Sequence, residues 1–270
     1  MPYLMINGVK QEIETFGDIH NPPLILLNGG ATSKESWHVW DWNNSIARLA
    51  EENYVICYDR RGHGQSRVPA GTTIKDMAND LFTLIDTLCI EKANVVGLSA
   101  GTYVLGCAAG IAPERFTSMT LIVPHSHTVG GSPATHVMRS MGINPATATP
   151  EQMKAVFKLN WGPMFSDEAN VLKWQSQFDK YPELPAEDVA EAYKAISNFD
   201  NRDNFKKLKL PTLVMSGKYD KFCPQEIGRE IAESIDGGQF VEFADSGHGL
   251  YFEENEKCIN LMIEFLRSTR

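Results

Sequence analysis

Short apolar runs, too brief for helices, alternate along this chain with longer segments at helical spacing, and that alternation limits the fold more than any other feature. Residues 24–27, 54–58, 93–97, 119–123, 212–216 and 239–243 read as strands, and residues 1–8 as a first strand and turn. Between them, Ile74, Met77, Ala78, Leu81, Leu84, Ile85 and Leu88 recur on one helical face. Residues 256–267 read as a closing amphipathic helix. Strands that are apolar throughout must be buried on both sides, and helices between them supply the cover. The expected fold class is therefore α/β, a mostly parallel, doubly wound sheet.

The alternation stops between Pro124 and about Asn204. That stretch offers no convincing buried strand and reads as helices with local start signals. These are Thr149-Pro150 before Glu151, Ser166 before Asp167, and Pro185 before Ala186. The expected organisation is a core of residues 1–123 and 205–270, interrupted by a helical cap over residues 124–204 that closes the open end of the strands. Repeats and low-complexity tracts are absent.

Gly97-Leu98-Ser99-Ala100-Gly101 fits G-x-S-x-G between an apolar strand and a small-residue helix beginning Thr102-Tyr103-Val104-Leu105. A strand turning sharply into a helix strains the apex residue, and its flanks two residues away must be small. The apex oxygen is then exposed at the C-terminal edge of the sheet, near the positive end of a helix. Alone, the pattern could also be a serine N-cap with turn glycines, the weaker of the two readings. Its partners decide between the two. Asp220 follows the strand at 212–216 and His248 follows the strand at 239–243, so both fall in loops at the edge where Ser99 sits, in the chain order Ser, acid, His. The loop Pro124-His125-Ser126-His127 supplies no carboxylate, and Asp245 is too close to His248 to be more than a turn residue. His20, His38, His63 and His136 lack the late strand–loop position. Ser99 is expected as nucleophile, His248 as base and Asp220 as acid, with the Ala100 backbone N–H as an oxyanion donor at the start of the helix.

A net charge of −9 without any basic run opposes nucleic acid and anionic membranes as partners. The first eight residues lack a basic segment leading into a long apolar one, and no apolar run approaches the roughly 20 residues of a membrane span, so a cytoplasmic location is expected. Five scattered cysteines, odd in number and without a Cys-x-x-Cys pair, suggest neither a disulfide framework nor a zinc site. Cys223 lies close enough to Asp220 to line the site but lacks an activating context. His125 and His127 form a His-x-His pair without a third ligand nearby, so loop histidines are expected there rather than a metal. Asp59-Arg60-Arg61-Gly62-His63-Gly64 lacks the Lys-Ser/Thr of a phosphate loop and reads as a turn at the sheet edge. No cofactor and no metal is expected.

With these residues in place, the chain resembles the α/β-hydrolase superfamily, in its capped esterase, lactonase and cofactor-free haloperoxidase branch. The matching elements are Asn28-Gly29-Gly30, Asp59 to Ser66, the Ser99 elbow, the Asp220 loop and Ser246-Gly247-His248, in order over nearly the whole length. The resemblance implies an eight-stranded sheet and a second oxyanion donor, the N–H of Gly30 rather than that of Ala31. Asn28 stands where relatives often carry His. A serine at the elbow implies acyl transfer, not the alkyl transfer of relatives with Asp there. The expected substrate is a small-molecule carboxylic ester or lactone with an apolar portion. Perhydrolysis with indirect halogenation, carbon–carbon bond hydrolysis and cyanohydrin opening use the same three residues and stay open, as does a ligand receptor with slow turnover. Met138, Met141, Met153, Phe157, Trp161, Met164, Phe165, Trp174, Phe178 and Tyr181 are expected to seat the cap, a few of them roofing the pocket. Trp37, Trp40 and Trp42 are expected in the core or in a pocket wall. Homo-oligomerisation is left open.

Overall fold

The computed structural model describes residues 2–30, 32–39, 44–178 and 185–270. Among these, β1 (Tyr3–Ile6), β2 (Val9–Phe16), β3 (Pro23–Leu27), β4 (Tyr54–Tyr58), β5 (Ala93–Leu98) and β6 (Phe116–Ile122) build the first part of one sheet. After the small pair β7 (His127–Thr128) and β8 (Phe199–Asp200), β9 (Thr212–Gly217) and β10 (Gly238–Phe243) complete it. The eight strands lie in the order β1-β2-β4-β3-β5-β6-β9-β10, antiparallel at β1·β2 and β2·β4 and parallel elsewhere. The expected mostly parallel eight-stranded sheet is present.

Period-two burial explains why the strands read as continuous apolar runs. Ile25 and Leu27 of β3 belong to one core layer and Leu24 and Leu26 to the other. Helices supply both covers. The first layer packs under α3 (Ile74–Thr87), α4 (Ala100–Ile111), α9 (Arg202–Lys207) and α10 (Gln225–Ser234). The second packs under α1 (Ser36–Val39), α2 (Ser45–Ala50), α11 (Leu250–Glu253) and α12 (Asn255–Ser268). Each fully buried leucine or isoleucine in these layers contributes about 1.5–3 kcal/mol through desolvation. The strand β2 escaped the apolar-run criterion because it alternates as Val-Lys-Gln-Glu-Ile-Glu-Thr-Phe, with only some positions buried.

Between β6 and β9 the chain leaves the sheet and forms α5 (Pro133–Ser140), α6 (Pro150–Lys158), α7 (Glu168–Phe178) and α8 (Ala186–Ala195). Thr149 and Gln152 form a reciprocal capping box at α6, as the Thr-Pro signal suggests. The helix expected from Ser166 begins at Glu168, after a 3₁₀ turn over Pro163–Ser166. The two-residue strands β7 and β8 pair antiparallel at the root of this segment, a ladder too short for periodicity to reveal. Ala31, Trp40, Trp42 and Tyr181, and the side chains of Trp174 and Phe178, lie outside the described residues. No helix of the described residues is long and apolar enough to cross a membrane.

The sheet order fixes where a site can form. From β3 the chain goes outward to β4 and then back to β5 on the other side of β3. The loops after β3 and β5 therefore diverge at the C-terminal edge and leave a crevice between them.

Candidate active site

Ser99 sits in that crevice, between β5 and α4, with φ 48° and ψ −114°. Such a conformation costs on the order of 1–3 kcal/mol for a residue with a Cβ and persists only where its surroundings enforce it. Here the Ser99 N–H donates to the Ile122 carbonyl (2.9 Å), and the Thr102 hydroxyl donates to the Ser99 carbonyl (2.6 Å). The flanking glycines are compulsory. A Cβ on Gly97 would lie 2.8 Å from the Gly101 carbonyl carbon, and one on Gly101 would lie 2.4 Å from the Leu27 carbonyl oxygen.

The structure brings Ser99, His248 and Asp220 together. His248 Nε2 lies 3.0 Å from Ser99 Oγ, and His248 Nδ1 lies 2.7 Å from Asp220 Oδ2. Asp220 is buried just past β9, where its Oδ1 accepts the N–H groups of Phe222 (2.8 Å) and Cys223 (2.9 Å). That leaves Oδ2 to the imidazole and fixes the proton on Nδ1, so Nε2 is the acceptor facing the serine hydroxyl. The Phe222 ring stands edge-on against His248 at 5.1 Å.

Two residues that sequence reasoning did not single out hold this arrangement. Asn160, buried after α6, accepts the His248 backbone N–H with its carbonyl (2.6 Å) and the Lys221 N–H with Oδ1 (2.9 Å). Its side-chain amide donates to the Val156 carbonyl (2.7 Å). Glu253 accepts the Gly247 N–H with Oε1 (3.0 Å) and the Gly162 N–H with Oε2 (2.6 Å), and burial pushes its carboxyl up to about 7. Both bind loops rather than reacting atoms, and neither sits in a motif, so the sequence carried no local signal for them.

After β3, a Cβ on Gly30 would lie 3.5 Å from the Ala100 methyl, so the two expected backbone donors are neighbours beside Ser99. Buried Arg60 reaches under this loop, its Nη2 donating to the carbonyls of Asn28 (2.7 Å) and Gly29 (3.2 Å). Asn28 turns its amide to the Thr32 hydroxyl (3.1 Å). The segment from Asp59 to Ser66 is thus a brace, as its reading as a turn suggests. Asp59 Oδ1 accepts the Lys34 N–H (2.7 Å), and Arg61 forks onto Asp80 with two contacts of 2.6 Å. Burial lowers Arg60 to about 10, and burial beside Arg60 holds His63 neutral well below its usual range.

A cavity of about 210 Å³ opens at Ser99. Its walls come from the sheet and its flanking elements, with Tyr103, Phe222 and Tyr251, and from the segment between β6 and β9, with Phe157, Trp161 and Tyr193. Among the described lining residues there is no lysine or arginine. Of the other expected cap residues, Met138 and Phe165 are buried in packing, Met153 and Met164 are partly buried, and Met141 is exposed. Trp37 is core, edge-on beneath Tyr251 at 5.0 Å.

Cys223 lies below the site, its Sγ 3.5 Å from the Tyr103 hydroxyl, and burial holds its thiol well above the ordinary value. Asp220, Cys223 and His248 bring potential metal-binding atoms within 4.8 Å of one another. The carboxylate and imidazole are already engaged with each other and the thiol is kept protonated, a donor set that fits proton handling better than metal binding. His125 and His127 sit at the root of the insertion, where the His127 N–H donates to His125 Nδ1 (3.4 Å) and burial lowers His125 to about 4.

Comparison with known proteins agrees with this fold. The family model for the alpha/beta hydrolase fold matches residues 22–255. The chain is 27% identical to 3-oxoadipate enol-lactonase 1 of Acinetobacter baylyi, over 97% of this chain and 94% of the relative. It is 26% identical to the 2-hydroxy-6-oxo-6-phenylhexa-2,4-dienoate hydrolase of Comamonas testosteroni, over 90% of this chain and 87% of the relative. The crystal structure of the enol-lactonase from Burkholderia xenovorans LB400 superposes with a TM-score of 0.82 at 28% identity, covering 98% of this chain and all of that one. A sheet of this order, a strained serine between β5 and α4, and a family match over most of the length have one common explanation: the chain belongs to the alpha/beta hydrolase fold family.

Proposed function

We propose that this protein is a serine hydrolase that cleaves a neutral carboxylic ester or lactone with an apolar portion through an acyl-enzyme intermediate. The observation that carries the reading is the hydrogen-bonded line from Ser99 through His248 to Asp220, at 3.0 and 2.7 Å, at the base of an aromatic pocket. His248 Nε2 takes the Ser99 proton as Oγ attacks the acyl carbon, and Asp220 stabilises the imidazolium that forms. The N–H groups of Gly30 and Ala100 receive the oxyanion, each lowering the barrier by roughly 3–4 kcal/mol. As the carbon–oxygen bond breaks, the imidazolium returns its proton to the departing alkoxide. Water then enters, His248 accepts one of its protons, and the hydroxyl adds to the acyl carbon. Collapse releases the acid and restores Ser99 with its proton.

In this reading residues 124–204 form a lid, because the walls facing Ser99 come from its helices as well as from the sheet edge. Neutrality of the substrate follows from the lining. An oxoadipate lactone and a dienoate, the compounds in the relatives' names, carry carboxylates, whereas the described lining here offers no lysine or arginine to pair with one. The same observation favours ester hydrolysis over carbon–carbon cleavage of dienoates.

The test is a ladder of p-nitrophenyl esters from acetate to decanoate, with wild type and Ser99→Ala. Turnover by wild type and a loss of about 10⁴–10⁶ in the variant are expected. Equal rates for the two proteins, or no turnover by wild type on esters and lactones alike, would refute the reading.

A further inference from the structure

We infer that the Tyr193 hydroxyl is a third hydrogen-bond donor to the substrate's acyl oxygen, supplied by helix α8 beside the backbone donors Gly30 and Ala100. The inference rests on the reading that Ser99 is acylated. Three observations carry it. First, a Cβ on Gly30 would lie 3.2 Å from the Tyr193 hydroxyl and 3.5 Å from the Ala100 methyl, so the phenol hangs over Gly30 on the side where Ala100 stands. Gly30, Ala100, Ser99 and Tyr193 all line the same cavity.

Second, the hydroxyl is left for a ligand. Tyr193 is bound to the protein through its carbonyl, which accepts from the Ser197 hydroxyl (2.6 Å). Its own hydroxyl has no hydrogen-bond partner among the described residues. Tyr193 is half-buried and lines the cavity, so a carbonyl oxygen arriving in the pocket can take up its hydroxyl. Burial also raises the phenol above its ordinary value, which keeps it protonated and a donor.

Third, α8 is fastened where this role requires it. Asp188 accepts the Val68 N–H (3.0 Å) with Oδ1 and pairs with Arg67 Nε (3.0 Å) through Oδ2. Glu191 accepts the Gly71 N–H (2.7 Å), and a Cβ on Gly62 would strike the Ala192 methyl at 2.6 Å. The loop that braces the Gly30 turn through Arg60 therefore also seats the helix that carries Tyr193. Donors fixed in advance, on two elements with one common support, need no rearrangement as charge develops on the acyl oxygen.

Tyr193→Phe removes the hydroxyl and keeps the ring. The expected result is a loss of about 10- to 100-fold in kcat/KM, mostly in kcat, because the bond strengthens as the carbonyl becomes an oxyanion. Inhibition by a trifluoromethyl ketone with the same acyl chain should weaken by the same factor, which mere packing would not produce. Unchanged kcat and inhibition, or a rise in KM alone, would overturn the proposal. Endpoint labelling with a fluorophosphonate separates this failure from that of the underlying reading. Stoichiometric labelling of Ser99 in both proteins with equal rates sinks Tyr193 alone, whereas no labelling of wild type sinks the acyl-enzyme reading and this inference with it.

Discussion

The carbonyl of Asn160 accepts the backbone N–H of His248 at 2.6 Å, so the inserted segment and the loop carrying the imidazole are held by a direct bond. The Asn160 side chain extends the tie to the Asp220 side through Lys221 N–H and to α6 through Val156. Truncation to alanine would leave the buried Val156 carbonyl and the part-buried Lys221 N–H without this partner, at up to about 1–3 kcal/mol each. Asn160→Ala should lower stability by roughly 2–4 kcal/mol and reduce kcat at least about tenfold through a less fixed His248 loop. Urea unfolding and ester kinetics measure the two separately. A destabilised variant with full kcat would mean that the backbone bond alone positions His248.

Strain at Ser99 predicts a conflict between stability and activity. With φ 48° and ψ −114°, the position suits glycine better than any residue with a Cβ. Ser99→Gly and Ser99→Ala should both lose turnover. The glycine variant should be more stable than the alanine one by about 1 kcal/mol, the relief of strain outweighing the added flexibility of the unfolded chain. Thermal melts of the pair check this. Alanine equal to or above glycine would show that the elbow stores no such strain.

The legibility of the sequence had a physical limit. β3, β4, β5, β6, β9 and β10 were legible because burial on both faces forces apolar residues into consecutive positions, and Ser99, Asp220 and His248 because each follows such a strand. β2, with polar residues on its exposed face, carried no such run, and β7 and β8 are too short to carry any period. Within the insertion, helix starts were written locally at Thr149 and Pro185, yet nothing local tells that Trp161 and Tyr193 line the cavity while Met141 faces solvent. Asn160 and Glu253 act on residues far along the chain, and their type alone does not distinguish them from surface residues. Such roles come from tertiary geometry and are visible only once the loops are placed.

The described cavity lining, without lysine or arginine, predicts discrimination against anionic acyl groups. Burying a carboxylate without a cationic partner costs several kcal/mol, while a methyl group of similar size gains from the aromatic walls. Between p-nitrophenyl butyrate and the mono-p-nitrophenyl ester of succinic acid, kcat/KM should favour the neutral ester by at least about 100-fold. The comparison is best made at two ionic strengths, since a distant surface charge would be screened by salt and the desolvation effect would persist. Equal rates would place a cation within reach of the acyl chain.

Glu253 gives the fold a pH dependence whose sign is fixed. Its carboxyl titrates at about 7 in the folded chain against an ordinary 4.5, because burial and the nearby Asp220 charge oppose ionisation despite the bonds from Gly247 and Gly162. The folded state therefore holds this proton more tightly than the unfolded one. The stability this contributes is fully present below about pH 4.5 and is lost as pH rises through about 7. Glu253→Gln cannot titrate. Its amide oxygen replaces one acceptor, while its NH₂ group opposes one of the two backbone N–H donors, so the variant should be less stable than wild type at pH 5. The gap should narrow toward pH 8, where wild type bears a buried charge. Urea midpoints at the two pH values measure it, with Asp59, also raised to about 7, common to both proteins and cancelling in the difference. A constant gap would mean that Glu253 is ionised throughout and that its backbone donors outweigh its burial.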